Sequence, residues 1–299
     1  MNYDVVHRTI YTYTAPVTVS YHVARLAPRI TATQGCDSSA LTIHPDPAVR
    51  AARTDYFGNQ LCFFSIQEIH DRLEIVARSR VSVRAKILPA PEESPEWGEV
   101  ARLFRDPVLP DVLEPYQFVF DSPQVRASRE LADYAFKSFP DGTPTLVGAM
   151  DLTRRIHEDF RFDSKATTVA TPLEEVLKNR RGVCQDFAHL GIACLRSIGL
   201  PARYVSGYQR TRPPEGRKRL VGVDASHAWF AVFSPGPGWV DFDPTNNLQP
   251  AEEHITVAYG RDYADVSPVA GILTGGGEHT VKVAVDVTDD ISSSIEVST

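Results

Sequence analysis

No window of about 18 apolar residues occurs in this chain, and its amino terminus has no basic segment leading into an apolar one. The chain is therefore expected to be cytoplasmic and not to span a membrane. Cysteine is scarce. Cys36, Cys62, Cys184 and Cys194 include no CxxC pair, which excludes a disulfide framework and a closely spaced zinc site and makes reduced thiols the expectation. Positive charge is not in surplus either: 31 Lys and Arg stand against 38 Asp and Glu, a formal net charge of -7. Nucleic acid is not an expected partner, since backbone recognition rests on a basic surface. What is present, 42% hydrophobic and 23% charged residues over 299 positions, is an ordinary globular composition with enough chain for two domains.

Residues 1–88 read as six strands: Val5 to Tyr13, Val17 to Arg29, Ser39 to Pro45, Val49 to Phe57, Gln60 to Ile69 and Leu73 to Val83. Ile75, Ala77, Ser79, Val81 and Val83 alternate with Val76, Arg78, Arg80, Ser82 and Arg84, the period of a strand with one wet face. Asp55 to Gln60, with Gly58-Asn59, reads as a hairpin turn. Three prolines and several acidic residues in 88–98 mark a linker, taken as 89–110. A second domain then covers 111–290, ending in a strand with alternating Val281, Val283, Val285 and Val287, and a frayed tail covers 291–299.

The second domain opens with helical periods. Ser122-Pro123 starts one helix through Ala127, Leu131, Ala135 and Phe139, and Pro144 opens another through Leu146, Ala149, Thr153, Ile156 and Phe160. Thr171-Pro172-Leu173-Glu174 reads as a capping box. A fourth helix carries Phe187, Leu190, Gly191, Cys194, Leu195 and Ile198 on one stripe and ends at Gly199. Cys184 lies one turn before Phe187 on that stripe. Its thiol should point inward at the helix start, where unpaired N–H groups favour a thiolate.

Strands follow at Ala202 to Gln209, Val221 to Phe233 and Trp239 to Asp243, the last two joined by a Pro/Gly-rich loop. A hairpin centred near Gly236 pairs residues whose numbers sum to about 472, so Trp229 opposes Asp243 and His227 is its diagonal neighbour. A slip of one residue would put them on opposite faces. Taken singly, each of the three residues has a plainer reading. A buried cysteine is usually a small core hydrophobe, as Cys36, Cys62 and Cys194 are taken to be, His227 suits a core position, and Asp243 suits a strand end. Cys184 and His227 alone, with no third donor nearby, make a poor metal site.

Together they form a resemblance. Gly182 to His189, Gly199 to Tyr208, Asp224 to Trp229 and Gly238 to Asn246 resemble, in order, four signatures of the bacterial transglutaminase-like superfamily. His7 to Tyr13, Leu26 to Arg29 and Asp55 to Asn59 resemble the β-rich N-terminal domain that accompanies it. The resemblance implies an α+β fold: a β-rich N-terminal domain followed by a papain-like core with helices packed on an antiparallel sheet. It implies a nucleophile at Cys184, a general base at His227 and an orienting acid at Asp243, acting on a peptide or other amide through a thioester. No cofactor or metal is implied, and nothing resembles a calcium loop. Hydrolysis is expected ahead of transamidation because water is abundant. A catalytically silent binding or scaffolding protein on the same fold is the rival reading. Two residues depart from the family pattern, Ala231 where glutamate is common and Phe162 where tyrosine is common. Arg210, Arg212, Arg217, Lys218 and Arg219 form a basic segment that reads as a solvated loop or, alternatively, an overhang of the cleft.

Overall fold

The computed structural model describes residues 1–87, 90–105, 112–164, 166, 171–211 and 225–289. The N-terminal sheet is built on β1 (Asn2–Ala24), one strand where two were expected. Its pairing with β5 (His70–Val83) breaks register between Thr12 and Val17, at a bend containing Pro16. The sheet order is β2 (Gln34–His44), β5, β1, β4 (Gln60–Ile66) and β3 (Val49–Thr54). The alternation read in β5 holds: Ile75, Ala77, Ser79, Val81 and Val83 are all buried. The β3–β4 hairpin turns through Gly58 at a φ of 76°.

The expected linker contains α1 (Trp97–Arg105), which buries Val100 and Phe104 in the main core. After α2 (Leu113–Tyr116) comes α3 (Arg129–Phe136), starting later than the Ser122-Pro123 signal. The cap is Ser128, whose Oγ accepts from Leu131 N at 3.3 Å. Ser122 is instead engaged by Arg196, a buried cation that also donates to the carbonyls of Phe120, Ala202 and Arg261. A tertiary contact thus overrides a local cap signal. The helix α4 (Thr145–Asp159) follows Pro144 as expected. Two short strands, β6 (Arg161–Phe162) and β7 (Arg181–Gly182), flank α5 (Leu173–Asn179), whose cap position is held by Pro172 and not Thr171. The central helix α6 (Cys184–Ser197) is nearly all buried.

The second sheet has the order β10 (Gly238–Phe242), β9 (Ala225–Ser234), β8 (Ala202–Gln209) and β11 (His254–Gly260), all antiparallel. Tyr204, Phe230, Val232 and Phe242 join α6 in the main core, while Val205, Trp229 and Ala231 form a small cluster elsewhere. The architecture is α+β, helices on an antiparallel sheet behind a curled β-rich sheet.

Beyond α7 (Tyr263–Val266), β12 (Val269–Gly275) and β13 (His279–Asp289) return to the first sheet. Both pair with β1, with Val5 opposite Val287. Tyr3, Val5, Val81, Val285 and Val287 consequently belong to the same core as α6. The two regions also meet along β11, the edge of the second sheet. Gln34 donates through Nε2 to the Thr256 carbonyl at 2.7 Å and accepts from Thr256 N at 2.8 Å. Asn59 makes the same paired bonds to Tyr259, at 2.7 and 2.8 Å. A register shift between Thr256 and Ala258 lets both residues face outward, although an odd number of positions separates them. The tail from 291 onward and the basic residues Arg212, Arg217, Lys218 and Arg219 lie outside the described residues. Of that segment Arg210 is described, paired with Asp289 at 2.7 Å.

Candidate active site

Cys184 is the first residue of α6, so its backbone N–H belongs to the turn whose donors have no intrahelical acceptor. Asp186 folds back over this turn and accepts from Val183 N at 2.8 Å. Gly182 makes room for it: a Cβ there would lie 2.7 Å from Asp186 Oδ2. The glycine before Cys184 is thus required by a side chain's close approach, not by a left-handed backbone. The thiol is half-buried against the main core. Cys194 differs in kind: it is fully enclosed on the same helix, and burial pushes its thiol up to about 12.

The hairpin register is the expected one. Gly238 pairs with Ser234 and Phe242 with Phe230, each pair summing to 472. Asp243 follows directly, and its Oδ2 accepts from His227 Nε2 at 2.8 Å. The carboxylate is wholly buried yet well supplied with donors. Oδ1 accepts from Thr245 N and Asn246 N at 2.9 and 3.2 Å, and Oδ2 from Asn246 Nδ2 at 2.7 Å. Burial alone would raise its pKa, but bonds from His227, His254 and Asn246 outweigh it and hold the carboxyl well below the usual range.

His227 is buried, which by itself would discharge it. Hydrogen bonds to Asp243 and to the Cys184 thiol overcome that and raise its pKa to about 10. With Nε2 committed to Asp243, Nδ1 is the nitrogen left to face the thiol. Gly207 is paired with His227, and a Cβ on it would run into the Ile255 carbonyl and the Trp229 ring. Trp229 lies beside His227, with ring centroids 6.0 Å apart.

One member of this cluster carried no sequence signal. His254 opens β11 and donates through Nε2 to the same Asp243 oxygen, at 3.1 Å. It stands on the far side of a loop, on a strand whose pairing with β8 could not be read from spacing. The donor atoms of His227, Asp243 and His254 lie within 4.8 Å of one another, close enough to raise the question of a metal. Both imidazole nitrogens aim at one carboxylate oxygen over N–H···O distances, which is the geometry of a hydrogen-bond network. Of the two departures, Ala231 is buried between Arg203 on β8 and Asp241 on β10, and Phe162 is exposed on β6.

Comparison with known proteins gives a consistent picture. Residues 3–82 match the bacterial transglutaminase-like N-terminal region and residues 133–244 the transglutaminase-like superfamily. An uncharacterized protein of Mycobacterium tuberculosis is 41% identical over 293 residues, 95% of this chain and 92% of the relative. A protein-glutamine gamma-glutamyltransferase of Pseudomonas aeruginosa is 37% identical over 108 residues, 35% of this chain and 16% of that one. The crystal structure of a candidate cysteine protease from Cytophaga hutchinsonii superposes with a TM-score of 0.74 at 21% identity, covering 97% of this chain and 91% of the other. No described helix is long and apolar enough to cross a membrane.

Proposed function

The chain belongs to the transglutaminase-like superfamily, and from that premise we propose that it is a cysteine-dependent enzyme of acyl transfer acting on amide bonds. The observation that carries this reading is the imidazole of His227, hydrogen-bonded through Nε2 to buried Asp243 and raised in pKa by that carboxylate and by the Cys184 thiol that begins α6. In the proposed reaction the proton of the Cys184 thiol already rests on His227 Nδ1 before substrate arrives, and the Cys184 Sγ thiolate attacks the amide carbonyl. The Cys184 N–H, at the helix start, faces the developing oxyanion. The imidazolium then protonates the leaving amine, and a thioester remains. Asp243 holds the ring with Nε2 protonated throughout and steadies its positive charge.

Water resolves the thioester in the reading we favour, which makes the enzyme a peptidase or amidase. The local likeness to a protein-glutamine gamma-glutamyltransferase supports a second outcome, in which an amine attacks the thioester and glutamine side chains serve as donors. All four cysteines are free, a state suited to the reducing cytoplasm in which we propose the enzyme works. The mass of a thioester trapped on Cys184 would identify the acyl donor. The reading itself is tested without any substrate, by the rate at which iodoacetamide alkylates Cys184 below pH 7.

A further inference from the structure

We propose that His254 is a positioning residue, which shares the Asp243 carboxylate oxygen with His227 and thereby sets how firmly His227 holds its proton. The inference rests on the acyl-transfer reading for its purpose, but not for its geometry. His254 and His227 both donate to Asp243 Oδ2, at 3.1 and 2.8 Å, and all three side chains are buried. A carboxylate oxygen that serves two donors gives less of its charge to each.

That division matters to the chemistry. An imidazolium held too tightly by its carboxylate is a poor acid toward a leaving amine, since general acid catalysis improves as the acid's pKa approaches the working pH. His254 drains charge from Asp243 and keeps the His227 proton transferable.

Its own position is fixed from three sides. The ring stands edge-on to Trp229 at 5.2 Å and 86°. Its strand pairs with β8, His254 opposite Gln209. The outer edge of the same strand is tied to the N-terminal sheet by Gln34 on Thr256, two residues further on. The N-terminal domain therefore reaches the candidate triad through one strand and one histidine. The charged and titratable groups facing the pair are Cys184 from α6, Asp243 and Asp241 from the β10 side, and His254 itself. Asp241 is in turn opposed by Arg203 and Lys86.

The experiment is an NMR titration of protein labelled with ¹⁵N-histidine, comparing wild type, His254→Phe and His254→Gln. Phenylalanine keeps a ring against Trp229 and removes the donor, whereas glutamine retains an N–H that reaches Oδ2. The proposal expects the His227 titration to move up by about one pH unit in His254→Phe, the size of one hydrogen bond to a charged group. It expects His254→Gln to return it to the wild-type position. Should His254→Phe fail to fold, His254→Leu carries the same expectation. A His227 titration that stays put overturns the proposal, and so does one that moves down, which would mean that His254 holds Asp243 in place without moderating it. An unreactive Cys184 in wild type, with the His227 shift still present, would sink the acyl-transfer reading and leave this coupling standing.

Discussion

Asp243 concentrates the electrostatics of the site at a single residue. It is fully buried, and a buried carboxylate without partners would take up a proton. Five donors prevent that: two backbone amides, the Asn246 side chain and two histidines. The charge so kept is what raises His227. Asp243→Asn preserves the shape and deletes the charge, so the ring loses both its preferred tautomer and the partner of its cationic form. We expect kcat for amide turnover to fall by about 10³-fold or more, by analogy with carboxylate-to-amide changes in catalytic triads, with an unchanged circular-dichroism spectrum. A loss below tenfold would remove Asp243 from the mechanism.

At the scale of elements, β11 joins the two halves of the molecule. It is an edge strand, and an uncovered edge leaves backbone groups without partners. Gln34 and Asn59 supply them with side-chain amides that imitate a neighbouring strand. Replacing Gln34 with leucine would leave the Thr256 N–H and the Arg29 carbonyl without the bonds that Gln34 gives them, while the Thr256 carbonyl keeps the Arg29 N–H. At 1 to 3 kcal/mol for each such group, the expected loss is about 2 to 6 kcal/mol, read from urea unfolding. A change under 0.5 kcal/mol would show that the edge is not held this way.

Elements were also where the sequence was most and least legible. The α6 stripe, the β5 alternation and the 472 register of the β9–β10 hairpin were readable because each depends on local period or a short loop. These were enough to bring His227 and Asp243 together. The start of α3 was not readable, because Arg196 captures Ser122 from far along the chain. The return of β12 and β13 to β1 and the pairing of β11 with β8, which brings His254 to Asp243, share that cause: both are pairings across long separations, to which periodicity is blind.

For the whole molecule, the histidines set opposing slopes of stability with pH. Burial lowers His7, His22 and His189 to about 4 from 6.5. Between those values the unfolded chain binds more protons, so stability falls as the solution is acidified through that range. His227 works in the other direction. Its pKa rises from 6.5 to about 10, so its contribution is complete below 6.5 and is lost as pH rises toward 10. The expected profile of Tm against pH is a dome with its crest near pH 6.5. Replacing His227 with glutamine should flatten the alkaline side alone, and a profile that still rises through pH 9 would contradict these assignments.

The central claim is that Cys184 is an activated nucleophile paired with His227, and the most direct measurement is its alkylation by iodoacetamide as a function of pH, followed by peptide mapping. At pH 6 a free cysteine is almost entirely thiol. The account predicts that Cys184 reacts on the order of tenfold or more faster than free cysteine there, and that His227→Ala abolishes the advantage while the protein stays folded. A wild-type rate no greater than that of free cysteine, or one that His227→Ala leaves unchanged, would contradict it.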